Sequence, residues 1–385
     1  MKHPLIIFFA TLTFIMCLSN DICIPGVGEI AIAYNTSIDV VIASVSVWFF
    51  GLLCTQLFLL FVKINYSINL LLVVAVFFII INGLLFVVES SDAFILLRFL
   101  TGVTVGFLAP ITYTIIYQQF PGDQATKYFY KITSICAGSI MLGPIIGSIF
   151  ISIGLIKSIF IFEAVFSMFA LIYFTFTNKQ KVVQRKSSHN LSDVVQLLFN
   201  FKFITYTLVN SLFFASFIVW IATGVTLFSQ EYVIFTLLQV ALVFSFVMGS
   251  IIGSIYLSQF TLRSTDITVN FIIVILSLLG CFINLISYQD SIFPFFLVLI
   301  AIGSIFPIYQ KKALDQVNHR LVWPATILTA IINSSIALIA SLLAVYVITY
   351  SHKYVFIVIF LCVGIASLAK LIAYKKLGSV TKLTK

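Results

Sequence analysis

Charge is scarce in this chain. Asp, Glu, Lys and Arg supply 9% of its 385 residues, where a soluble domain carries about 25%. Histidine is scarcer still, with four copies, at 3, 189, 319 and 352, all at loops or termini. No His/Cys/Asp cluster suggests a metal, and no Ser/His/Asp arrangement can be argued. A phosphate-cradling glycine loop is also missing, which excludes direct ATP drive. The six cysteines (Cys17, Cys23, Cys54, Cys136, Cys281 and Cys362) lack paired ligand spacing and sit in or at the ends of apolar segments. They read as small packing residues. No polar stretch is long enough for a soluble catalytic domain, so no enzymatic activity and no cofactor are expected. The net charge of +9 is not gathered into a basic stripe interleaved with aromatics, which excludes a nucleic-acid partner.

Apolar residues are what the chain has in excess. They make up 62% of it, and the mean hydropathy is +1.19. A soluble fold could not hide that much apolar surface, so the solvent for most of the chain is lipid. A window of ~20 residues, the length that crosses a ~30 Å hydrocarbon layer, picks out twelve segments. They are 4–25, 40–62, 68–88, 93–117, 132–154, 158–177, 203–225, 235–257, 268–288, 292–309, 325–349 and 354–373. Spanning strands need only ~10 residues of alternating character, so these are helices. The N-terminus resembles a signal peptide, with Lys2, an apolar run and Ala31-Ile32-Ala33. That site lies beyond Asp21 and Glu29, so an uncleaved first helix is expected.

The basic residues sort by side. Eighteen of the 21 Lys and Arg fall on one side of the segments, Lys157 and Lys353 on the other, and Arg98 inside the fourth segment. The positive-inside rule then places both termini in the cytoplasm. The longest polar stretch, Asn178 to Asn200, divides the segments six and six. The expected organisation is an N-terminal half over 1–177, a cytoplasmic linker over 178–201 and a C-terminal half over 202–385. Two six-helix halves joined by such a linker are the signature of parallel transporter repeats.

Ionisable residues inside apolar segments are functional candidates by default, because lipid penalises them. Asp21 lies toward the outer end of the first segment, with Pro25 one turn later. It either lines a central cavity and exchanges a proton for substrate, or sits hydrated at the outer interface. Arg98 enters the fourth segment from the same side, at a depth near that of Asp21. It is either a counter-charge for the carboxylate or a snorkelling surface residue. Glu163, in the sixth segment, is a second candidate proton carrier. Gly143, Pro144 and Gly147 form a small-residue stripe that permits close helix approach and removes a backbone donor. Gly249 and Gly253 form another; the two stripes either meet across the halves as a moving seam or are ordinary tight packing. Asn20, Tyr113, Asn210, Trp220 and Gln239 are candidates for the cavity wall; each could equally make an interhelical hydrogen bond.

Four stretches carry a family resemblance. They are Asn20-Asp21-Ile22-Cys23-Ile24-Pro25-Gly26, Ser37-Ile38-Asp39-Val40-Val41, Leu96-Leu97-Arg98-Phe99-Leu100-Thr101-Gly102 and Leu142-Gly143-Pro144-Ile145-Ile146-Gly147. With the six-plus-six division, they resemble the major facilitator superfamily, and within it the drug:proton antiporters of the Bcr/CflA and MdfA-like multidrug type. The resemblance covers about residues 5–175. It implies an all-α membrane protein of twelve helices in the bacterial inner membrane. A monomer is expected. It would export small amphipathic molecules in exchange for protons. It further implies proton and substrate binding at Asp21 and Asn20, a proton response at Arg98, and conformational change through Gly143, Pro144 and Gly147.

Two departures stand out. The loop after the second segment, Phe61-Val62-Lys63-Ile64-Asn65-Tyr66-Ser67-Ile68-Asn69, lacks the family's acid and arginines. Thr13 stands where the MdfA-like proteins have a second carboxylate. Both are consistent with a dedicated exporter of one metabolite or siderophore. The missing charge latch also fits a non-transporting sensor that kept the fold.

Overall fold

The computed structural model of the chain describes residues 4–62, 66–120, 122–177, 190–228 and 308–348, with isolated positions at 300, 361, 362 and 365. Its described elements are helices: α1 (Pro4–Asp21), α2 (Val27–Ala33), α3 (Ile38–Phe61), α4 (Ile68–Val87), α5 (Ser91–Gln119), α6 (Asp123–Ser152), α7 (Ser158–Thr177), α8 (Leu191–Phe199), α9 (Phe201–Phe228) and α10 (Val322–Ile348). Six of the described helices are long and apolar enough to cross a membrane, or seven if the bent pair α8 and α9 is one span. The expected segments 235–257, 268–288 and 354–373, and most of 292–309, lie outside the described residues. Packing divides the chain into two units. One holds Met1–Gln119 and Ile135–His189, and the other Phe120–Ser134 and Asn190–Lys385.

Serines start several of the helices. Ser37 accepts from the Val40 N–H at 3.4 Å, Ser67 from Leu70 at 3.2 Å and Ser90 from Ala93 at 3.2 Å. Each satisfies a donor that the first turn leaves open. Asp39 and Asp92 add negative charge in the first turns of α3 and α5, where the helix dipole favours it.

Burial separates the helices more clearly than polarity does. On α4, Leu71, Val74, Ala75, Phe78, Ile81, Asn82 and Leu85 are buried. Val73, Val76, Phe77, Ile80, Leu84 and Val87 on the other face are exposed. Both faces are apolar, as expected of a helix between protein and lipid. Only 39% of the α4 window is buried, against 67% for α1 and 61% for α5. The helices carrying Asp21 and Arg98 are therefore the sheltered ones.

Close approach is strongest between α3 and α5. A side chain at Gly102 would run into the Trp48 carbonyl, and one at Gly51 into the Phe99 carbonyl. Thr55 donates to the Val103 carbonyl at 2.9 Å across the same seam. Hydrogen bonds and backbone contact of this kind replace the hydrophobic drive that lipid cannot supply.

The structure differs from expectation at two short elements. The first apolar segment ends as a helix at Asp21, and Ile24–Gly26 forms a single 3-10 turn leading into α2. Pro25 lies in that turn, where its fixed φ and missing N–H are tolerated. The expected polar linker contains a helix, α8, bent 79° from α9 at Asn200. Val194 and Leu197 of α8 are buried, while Leu191, Leu198 and Phe199 are exposed. Asp193 accepts from the Asn190 N–H at 2.8 Å and pairs with Arg320 at 3.5 Å.

Candidate functional site

The site builds on the end of α1. Ser19, Asn20 and Asp21 are all buried there, with Asp21 6% exposed. Arg98, in the second turn of α5, is 1% exposed and points inward, so it does not snorkel. Its Nη1 donates to the Ser19 carbonyl at 2.8 Å and its Nη2 to Asn20 Oδ1 at 3.2 Å. Asn20 Nδ2 in turn donates to Asp21 Oδ1 at 3.5 Å. The cation thus reaches the carboxylate through an amide relay, and among the described residues no ion pair joins the two. Arg98 remains within electrostatic reach of both Asp21 and Glu163. A charge-assisted network of this kind, out of water, is stronger than its surface equivalent.

The glycine stripe of α6 braces this end of α1. A Cβ on Gly143 would meet Asp21 Cβ and the Ile22 nitrogen, each at 3.1 Å. One on Gly147 would overlap the Ile22 carbonyl and approach Pro25 Cγ at 2.9 Å. The alternative to a seam, ordinary tight packing, is what this stripe shows within its own unit. Gly143 and Gly147 face the backbone of their own unit, because the acidic end of α1 takes up the space a side chain would need. Gly249 and Gly253 lie outside the described residues. Below Asp21 on the same two helices, Cys17 and Cys136 bring their Sγ atoms to 3.1 Å.

Residues 9–322 match the family model described as Major Facilitator Superfamily. The chain belongs to the major facilitator superfamily. Its fold is that of the superfamily, an all-α membrane architecture. Two curated relatives, each named "Multidrug transporter MdfA", come from Escherichia coli O6:H1 (strain CFT073) and Escherichia coli O157:H7. Each is 25% identical over 262 residues, 64% of this chain. The match spans 62% of the relatives' own length. Among solved structures, the transporter FucP in the outward conformation superposes with a TM-score of 0.75 at 10% identity, covering 96% of this chain and 99% of that one. The human organic anion transporter MFSD10 (TETRAN) gives a TM-score of 0.63 at 11% identity, covering 93% and 98%. Both likenesses concern the fold.

The remaining described candidates of this superfamily member lie on α5, α7 and α9. Glu163 on α7 is fully buried. Tyr113 on α5 is half-buried. Asn210 on α9 donates to Gln310 Oε1 at 3.2 Å, the interhelical bond that was its alternative reading. Trp220 belongs to α9, but its side chain lies outside the described residues, as does all of Gln239. Sequence reasoning missed the Ser19 carbonyl as the nearest acceptor for Arg98, since a main-chain atom leaves no mark in sequence. It also missed Tyr34, whose hydroxyl donates to the Leu85 carbonyl at 2.5 Å beside Phe94.

Proposed function

We propose that this chain is a proton-coupled secondary transporter that exports small amphipathic molecules across a bacterial inner membrane by alternating access. The observation that carries this reading is the buried relay Arg98–Asn20–Asp21, braced by Gly143 and Gly147. A carboxylate this deep is costly unless it is used, and here it abuts the small-residue stripe along which α6 could slide or rock. Asp21 takes a proton when the cavity faces outward and yields it when substrate arrives from inside. Each step needs different affinities in the two states, since a ligand shifts an equilibrium only by differential binding. The halves 1–177 and 202–385 would move about the linker 178–201, with both termini cytoplasmic as the basic residues indicate. Protons, one small molecule and lipid are the partners of this monomer.

The charge-poor loop over 61–69 favours a second reading on the same fold, a dedicated exporter of one metabolite or siderophore. Purified protein in weakly buffered detergent tests the coupling directly. Adding a cationic dye should release protons from wild type and none from Asp21→Asn. Wild-type dye binding without proton release would remove the coupling, and release triggered only by metabolites would favour the dedicated exporter.

A further inference from the structure

Glu163 is 0% exposed, and neither of its carboxylate oxygens has a hydrogen-bond partner. An ionised carboxylate left that way inside a bilayer is strongly disfavoured, as is any unpaired buried charge. Among the described residues, no charged group on the elements packed against α7 is bonded to Glu163, and the buried hydroxyls of Ser167 and Thr13 are likewise without a partner. Helix α4 carries no titratable residue. The end of α1 carries Asp21, against Gly143 of α6, and just beyond it Cys23, which interacts electrostatically with Glu163. Lys157, before α7, is committed to the Val88 carbonyl at 3.0 Å and to the Tyr34 ring at 4.9 Å. Tyr34 is committed to Leu85. That leaves Arg98, which interacts electrostatically with Glu163 and whose Nε is itself buried without a partner.

An unpaired anion site and an unused donor on Arg98 are complementary. We propose that Glu163 is a second proton site, protonated in the arrangement seen here, whose deprotonation draws Arg98 from Ser19 and Asn20 toward itself. This deepens the proton-coupled reading proposed above and rests on it. Two arrangements of the same groups then compete. In one, Glu163 holds a proton and Arg98 secures the end of α1. In the other, Glu163 is ionised and paired, and Asn20 and Asp21 are released from the guanidinium. A proton on α7 thereby controls how firmly the Asp21 end of α1 is held, which is a two-state element of the kind switches require.

A hydrophobic carbodiimide adds to protonated carboxyls in apolar surroundings, so it reads Glu163 without any transport assay. Full-length protein in liposomes would be treated with dicyclohexylcarbodiimide across a pH series, and the Glu163 peptide followed by mass spectrometry. The proposal predicts labelling that declines as pH rises, persists to higher pH in Arg98→Ala, and survives in Asp21→Asn. It also predicts that Glu163→Gln loses gradient-driven efflux at least ~10-fold. Absent labelling at Glu163 while Asp21 is labelled, or a pH profile unchanged by Arg98→Ala, would overturn it. Full efflux by Glu163→Gln would also overturn it while leaving the exporter reading intact. Normal Glu163 titration in a protein without proton-driven efflux would instead remove the exporter reading and keep the proton site.

Discussion

Arg98 holds the end of α1 by its backbone: its Nη1 donates to the Ser19 carbonyl at 2.8 Å, 79 residues away in sequence. The guanidinium spans two acceptors at once, with Asn20 Oδ1 as the second. An ammonium cannot reproduce that fork, so Arg98→Lys is not a conservative change here. Hydrogen bonds from a charged group contribute about 1.5–3 kcal/mol, so transport by Arg98→Lys should fall about 10-fold or more. Efflux rates at matched protein levels check this, and near wild-type rates would show that a point charge suffices.

The two glycines of the α6 stripe should respond unequally to alanine. Gly143 has 3.1 Å contacts that small shifts can relieve, whereas a Cβ at Gly147 overlaps a main-chain carbonyl. Overpacking a tight site costs about 1–3 kcal/mol. Gly147→Ala should therefore lower the melting temperature and transport more than Gly143→Ala does. Equal effects would mean that the stripe opens away from α1 in the working protein.

Gly102 and Gly51 face opposing carbonyls across the α3–α5 seam, and no flexible side chain is there to yield. Gly102→Ala should reduce folded protein in the membrane as well as its activity. Fluorescence-detected size-exclusion chromatography separates that outcome from a folded but inactive protein, which would assign the seam to motion.

Tyr34 gives a contrasting case, a buried hydrogen bond that is not part of the relay. Tyr34→Phe removes the bond to Leu85 but keeps the ring against Phe94. A loss of about 1 kcal/mol in stability is expected, with transport retained. Thermal melting and efflux measured on the same preparation check it.

Asp21, Arg98 and the Gly143/Gly147 stripe were legible in the sequence, because charges and small residues are conspicuous in a lipid-facing chain. Their connection was less so. Sequence suggested a counter-charge for Asp21, and the structure interposes Asn20 and a carbonyl. The stripe's partner was also hidden: glycine spacing says that something approaches closely, and backbone of α1 looks like nothing in particular. Gly102 is plain in the sequence, but the Trp48 carbonyl it faces leaves no mark there. Helix α8 escaped because nine residues cannot register in a window sized for a span. Its buried Val194 and Leu197 gain meaning only from α9 and α10.

The most direct measurement is dye efflux from proteoliposomes under an imposed pH gradient, comparing wild type with Asp21→Asn. The account predicts gradient-driven efflux by wild type and loss of that drive in the variant, with the variant folded. Equal gradient-driven efflux by both proteins would contradict it and move the proton path away from Asp21.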